Sequence, residues 1–195
     1  MANRRSVPIT GGRYKGRKIL LPSIPTTRST KAILKGSLFD TLQHDLHGAL
    51  FAELFGGSGV IGLEALSRGS DEVWFIEKER IAYETLVRNC RAIDAERTHP
   101  ILGDTFARYG EVIGHMRARR KPIYLYFDPP FDIREGMEEI YQKVMDLIEK
   151  TPPESIAAII LEHRSKIALD ERIGPFALKK SKKFGKSALS YYYVA

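Results

Sequence analysis

The chain has 195 residues, of which 43% are hydrophobic and 28% charged, enough for one sizeable globular domain with a small appendage. A single cysteine, Cys90, excludes an internal disulfide and a cysteine-based zinc site, and fits a reducing cytoplasm. The N-terminus has no apolar signal-like segment, and the longest aliphatic run, 156–161, is far too short to span a bilayer, so no membrane role is expected.

The net charge of +7 is unevenly placed. Up to Phe39 there are nine basic residues and no acidic one, while the remaining 156 residues hold 22 basic and 24 acidic. A second acid-free basic stretch carries Lys179, Lys180, Lys182, Lys183 and Lys186. A near-neutral body with basic ends points to a polyanion partner.

In chain order, 7–10 and 17–21 read as short strands around the Gly11-Gly12 and Lys15-Gly16 turns. Pro22 and Pro25 end regular structure after the second of these strands. Ser29 or Thr30 can cap a helix through about Leu46, with Ile33, Leu34, Leu38 and Leu42 on one face. His44 and His47 near its end have no third ligand nearby, so no metal is expected there. Strands and helices then alternate: strands over 49–55, 72–76, 98–102, 123–127 and 156–161, helices over 60–68, 80–93, 105–119 and 135–150. The alternation ends in two strand-like runs, 176–184 and 188–194, joined by a tight Gly185-Lys186 turn as an antiparallel hairpin.

Three chemical signals fall on successive strand ends. Gly57, Gly59 and Gly62 form GxGxxG between the first core strand and its helix, and Glu77 lies 20 residues after Gly57 at the end of the next strand. Glycines let backbone approach a ligand, and an acid at that position accepts ribose hydroxyls. Glu53, just ahead of the loop, would repel a dinucleotide pyrophosphate at the helix N-terminus. It suits the cationic amino acid and sulfonium of S-adenosylmethionine instead. Asp104, after Gly103, is placed to accept from an adenine amino group. The fourth strand runs into Asp128-Pro129-Pro130-Phe131. Proline cannot continue a strand ladder, so the carboxylate, an unopposed carbonyl and a ring are held at the C-terminal edge, suited to gripping a planar base by its amino group.

The segments ELFGGSGVIGLEALSRG, FIEK, GD and FDPPF resemble class I S-adenosylmethionine-dependent methyltransferases. With the opening ITGGRYKGRK and the closing GKSALSY, the chain is more narrowly similar to the RsmD-type bacterial 16S rRNA guanine-N2 methyltransferases. The resemblance implies an α/β, Rossmann-like domain over 26–195. Its mostly parallel seven-stranded sheet would end in an antiparallel C-terminal hairpin, and a basic β-hairpin extension over 1–25 would precede it. Glu53, Phe55, Gly56, Gly57, Ser58, Gly59, Glu77, Lys78, Asp104 and Thr105 would then hold S-adenosylmethionine and its product S-adenosylhomocysteine, with no metal. Asp128, Pro129, Pro130 and Phe131 would hold the target base. Arg13, Lys15, Arg17, Lys18, Arg28, Lys31 and Lys35 are the candidates for RNA phosphates. The implied partner is ribosomal RNA or the small ribosomal subunit, met by a cytoplasmic monomer. A DNA adenine-N6 methyltransferase and a non-catalytic RNA-binding protein on the same fold stay open as alternatives.

Overall fold

The computed structural model describes residues 5–22, 29–130 and 139–195, with only the backbone at 29–31. Strands β1 (Ser6–Pro8) and β2 (Lys18–Leu20) pair antiparallel as a two-stranded sheet. Helix α1 (Ser29–Leu42) leads to β3 (Leu50–Glu53), α2 (Val60–Ser67), β4 (Glu72–Glu77), α3 (Arg80–Ile93), β5 (Thr98–Leu102), α4 (Thr105–Ala118) and β6 (Ile123–Phe127). Helix α5 (Ile140–Glu149) and strands β7 (Ile156–Arg164), β8 (Arg172–Ile173), β9 (Phe176–Phe184) and β10 (Ser187–Val194) complete the chain.

The main sheet has the order β5-β4-β3-β6-β7-β10-β9-β8. Its first five strands are mutually parallel, and the last three alternate in direction. Strand β6, inside the parallel part of the sheet, is buried on both faces, which is why it is all apolar and aromatic. Pro100 is tolerated in β5 because β5 is an edge strand. The sheet has eight strands where seven were expected. Gly174, in the left-handed region at φ 53°, turns the chain back so that Arg172 and Ile173 pair with Ala177 and Phe176.

Strand β7 also outruns its expected end at Leu161, because Glu162 and His163 pair with Leu189 and Ala188 of β10 and are buried there. Helix α1 stops at Leu42 rather than Leu46, although Leu46 still packs in the core. The described part of the fourth core helix begins at Ile140, and the expected start at 135 lies outside the described residues.

Two cores flank the sheet. One buries α1, α2 and α3 through Leu34, Leu63 and Leu86, and takes in Ile9 and Ile19 of the N-terminal hairpin. The other packs α4 and α5 through Val112, Val144 and Ile148. The hairpin therefore shares a core with the helices next to the glycine loop. No helix among the described residues is long and apolar enough to cross a membrane.

Candidate active site

Strands β3 and β6 are neighbours, and Glu53 pairs with Tyr126. The glycine loop after β3 and Asp128 after β6 therefore emerge side by side at the C-terminal edge of the parallel sheet, where open α/β folds bind ligands. The switch in strand order lies between these two strands.

The loop's geometry comes from its glycines. Gly59 caps α2 in the left-handed region, at φ 80° and ψ 22°. Gly62 has a different reason: a Cβ there would lie 2.4 Å from Phe75 Cε1 and 2.7 Å from Val73 Cγ1. Its role is close packing of α2 on β4. Gly62→Ala is expected to overpack this contact and cost about 1–3 kcal/mol. The thermal midpoint should then fall by roughly 2–4 °C per kcal/mol. An unchanged midpoint in a melting curve would refute that packing role. Gly57, at φ 51°, has open space where its Cβ would stand, so one side of the loop is free for a ligand's approach.

The carboxylates are already engaged with this loop. Glu53 is buried, and its Oε2 accepts from Gly62 N at 2.8 Å, closing the first turn of α2. Glu77 Oε2 accepts from Gly57 N at 2.7 Å, and its Oε1 accepts from Glu79 N at 2.6 Å. Each carboxylate oxygen has two acceptor sites, so these bonds leave capacity for ribose hydroxyls. Asp104 caps α4, accepting from Phe106 N at 2.9 Å, and is otherwise exposed. Phe55 meets Phe106 edge-on, with ring centroids 6.2 Å apart. The set is acidic at three strand ends with no cation between Phe55 and Gly59. That chemistry fits a ligand with a cationic group and free hydroxyls, and disfavours a pyrophosphate.

Beside it, Asp128 and Pro130 are half-buried and Pro129 is buried. Under them, Tyr126 donates to Glu162 Oε2 at 2.6 Å in a fully buried contact. Burial, then the negative charges of Glu162 and Asp128, push the Tyr126 phenol well up, so it stays protonated and keeps donating. Phe131 lies outside the described residues.

Two expected assignments change. Lys35 is buried with its Nζ 2.8 Å from Glu64 Oε2, so it braces the hairpin's mounting and is removed from the RNA-facing set. Thr105 is also buried, and its hydroxyl donates to the Leu54 carbonyl, tying α4 to the end of β3 rather than facing a cofactor. Ser58 is buried, and its carbonyl accepts from Asn89 Nδ2 at 2.8 Å. Lys78 is exposed beside Glu77. Arg13, Lys15, Arg17 and Lys18 are exposed on the hairpin; Arg13 lies 5.5 Å over the Tyr14 ring, and Arg17 donates to the Ala92 carbonyl. Arg28 and the Lys31 side chain lie outside the described residues.

Two structural residues escaped the sequence reading. Asn89 exchanges two 2.9 Å hydrogen bonds with the Leu20 backbone while also holding Ser58, so it joins β2 to the glycine loop. Glu64 sits within an otherwise apolar stretch of α2 and receives bonds from Thr10, Gly11, Lys35 and Arg68. A lone acid in an apolar helical stretch was the available signal for it. Among the described residues no cluster could hold a metal ion.

Comparison with known proteins places this arrangement. "Putative rRNA methyltransferase YlbH" of Bacillus subtilis is 25% identical over 187 residues, covering 94% of this chain and 97% of that protein. "Ribosomal RNA small subunit methyltransferase D" of Escherichia coli K12 is 31% identical over 134 residues, covering 68% of this chain and 63% of that protein. The solved structure of "Putative methyltransferase yhhF" from Escherichia coli superposes with a TM-score of 0.76 at 25% identity, covering 97% of this chain and 98% of that one. The family described as "Conserved hypothetical protein 95" matches residues 7–193. With the glycine loop, the acids at the strand ends and the Asp-Pro-Pro edge in place, the chain belongs to that family, the RsmD family of methyltransferases.

Proposed function

We propose that the protein methylates the exocyclic N2 amine of a guanine in 16S, small-subunit ribosomal RNA, using S-adenosylmethionine. The observation that carries this reading is the juxtaposition of Asp128-Pro129-Pro130 on β6 with the acid-flanked glycine loop on β3. The names of the Bacillus and Escherichia relatives, both rRNA methyltransferases, support the substrate class. Glu53, the loop from Phe55 to Gly59, Glu77 and Asp104 would hold S-adenosylmethionine, which supplies an electrophilic methyl group.

The chain's own task is the amine. A guanine amino group is a weak nucleophile because its lone pair is delocalised into the ring. The Asp128 carboxylate and the Pro129 carbonyl accept its two N–H bonds and turn the lone pair toward the donor side of the site. Phe131 stacks on the base, worth about 1–3 kcal/mol. Proximity contributes about 7–11 kcal/mol of the barrier reduction. The base must leave its stack to enter, so an unpaired or loop nucleotide is the target. Arg13, Lys15, Arg17 and Lys18, with Arg28 and Lys31, take phosphates; residues 1–25 thus serve the RNA and 26–195 the chemistry. The enzyme acts as a cytoplasmic monomer without a metal.

The test is to incubate the protein and labelled S-adenosylmethionine with small subunits lacking the modification, with naked rRNA and with DNA, and to identify the labelled nucleoside. N2-methylguanosine is expected. N6-methyladenine in DNA would replace this reading with a DNA enzyme, and RNA binding without label would leave only a binding protein.

A further inference from the structure

We propose that the C-terminal hairpin carries a second, separate phosphate-binding cavity that holds the RNA strand a few nucleotides from the target base. This proposal rests on the reading of the protein as an RNA methyltransferase. The cavity has a volume of about 240 Å³ and opens on the face of the sheet that carries α4 and α5. Its polar lining is His163, Ser165, Lys166, Ser181, Lys183 and Ser190; the rest is aliphatic, and no carboxylate among the described residues lines it. Ser165 Oγ donates to the Gly185 carbonyl at 2.8 Å, and two ammonium groups with no opposing acid suit an oxyanion.

The cavity floor is built rather than incidental. His163 is 3% exposed, with Nδ1 2.9 Å from the Arg164 carbonyl and Nε2 2.9 Å from Ser190 Oγ. Ser190 is 1% exposed, and its Oγ also lies 3.0 Å from Ser181 Oγ. The row runs from the core to the mouth and fixes the hydroxyl at the surface. Burial, with Lys183 nearby, pushes the His163 imidazole down. The cavity's positive charge therefore comes from Lys166 and Lys183.

Register places the cavity relative to the base site. Phe127 pairs with Leu161, Leu161 with Ser190, and Ser190 with Ser181. Three strand spacings separate Phe127 from Ser181, about 14 Å. Both β7 and β9 are antiparallel to β10, so β9 runs parallel to β7. Lys183, in the row of Ala188 and His163, thus lies toward the same sheet edge as Asp128. The N-terminal hairpin is on the opposite face, with the α1, α2 and α3 core. An RNA strand crossing this edge is then held at both faces, with its base presented between them.

The lysine run of β9 does not act as one patch. Lys182 Nζ donates to Ser37 Oγ at 3.0 Å and Thr41 Oγ1 at 3.3 Å, and Lys180 lies 6.0 Å over the Tyr191 ring. Strand β8 pairs only with Phe176 and Ala177, and lysines on the open edge of β9 beyond them also guard against strand pairing between molecules. That role needs neither Lys166, which lies off the strand, nor the serine row.

The experiment compares the full chain with the Lys166→Gln/Lys183→Gln double variant, and uses Lys179→Gln as a control for an edge lysine outside the cavity. Affinity for rRNA is measured across salt concentration, with S-adenosylmethionine affinity measured alongside. The double variant should raise the RNA Kd about three- to tenfold and lower the salt slope by about 1, with cofactor affinity unchanged. Lys179→Gln should have little effect. An unchanged RNA Kd and slope in the double variant, or an equal loss in Lys179→Gln, overturns the cavity as an RNA site. Inorganic phosphate titrated into the wild type distinguishes a small-anion site: saturable binding that the double variant loses, with RNA affinity unmoved, also overturns the RNA assignment. Failure of the wild type to bind RNA at all would instead strike the parent reading.

Discussion

Asp128→Ala is expected to lower methyl transfer by at least about 10²–10⁴-fold, the range ascribed to a positioned proton-accepting group. Affinity for S-adenosylmethionine should stay within a few fold. The separation comes from topology: Asp128 leaves β6, whereas the glycine loop leaves β3 and is held by Glu53 and Glu77. Removing the carboxylate takes away one acceptor for the amine and leaves the Pro129 carbonyl as the other. Asp128→Asn retains an acceptor of similar shape but without the charge. If orientation dominates, the asparagine variant should keep a sizeable share of the activity that alanine loses; if proton acceptance dominates, the two should be equally poor. Isothermal titration with the cofactor, beside single-turnover methylation, reads both quantities. Collapse of cofactor binding in either variant would mean that Asp128 belongs to the donor side, and the base-gripping role would be wrong.

What could be read in the sequence was what short-range pattern encodes. The run at Ile123–Phe127 is a buried parallel strand, and such strands announce themselves as unbroken apolar segments bounded by breakers. Glycine spacing and acids at strand ends placed the loop, because both signals sit within about 25 residues of one another. Contacts between distant segments left no such mark. Lys35 looked like one more cation in an acid-free stretch, yet its partner Glu64 lies 29 residues on and takes it inside. Thr105 came after Asp104 as if both faced a ligand, but the first helical position turned its hydroxyl toward Leu54. The expected end of β7 fell at Leu161 because a charge came next. Glu162 is buried all the same, since Tyr126 donates to it from the neighbouring strand.

The same distance between partners makes Glu64 the position where the largest loss of stability is expected. Its side chain is fully buried, and it accepts from Thr10 N at 2.9 Å, Thr10 Oγ1 at 2.7 Å, Gly11 N at 2.9 Å, Arg68 Nε at 2.8 Å and Lys35 Nζ at 2.8 Å. Glu64→Ala strands the buried Lys35 ammonium and two backbone N–H groups, and should cost about 3–5 kcal/mol in urea unfolding. It also unlatches the basic hairpin from α2, so RNA affinity should fall with stability. Adding Lys35→Met removes the orphaned charge, and the double variant should regain much of the loss, because a buried ion pair replaced by apolar groups is often neutral. Acid provides an independent check. Burial alone would raise the Glu64 carboxyl, but bonds from Lys35, Thr10 and Arg68 outweigh it and hold the group below its ordinary value of 4.5. A carboxyl depressed in the folded state stabilises fully above its unfolded value, and that contribution is lost as pH falls through the folded one. Unfolding free energy should therefore decline below about pH 4.5 in the wild type. Glu64→Gln should start lower and lose that part of the decline. Equal urea midpoints for wild type and Glu64→Ala, or an acid limb unchanged in Glu64→Gln, would show that the hairpin is held by its apolar contacts at Ile9 and Ile19 rather than by this carboxylate.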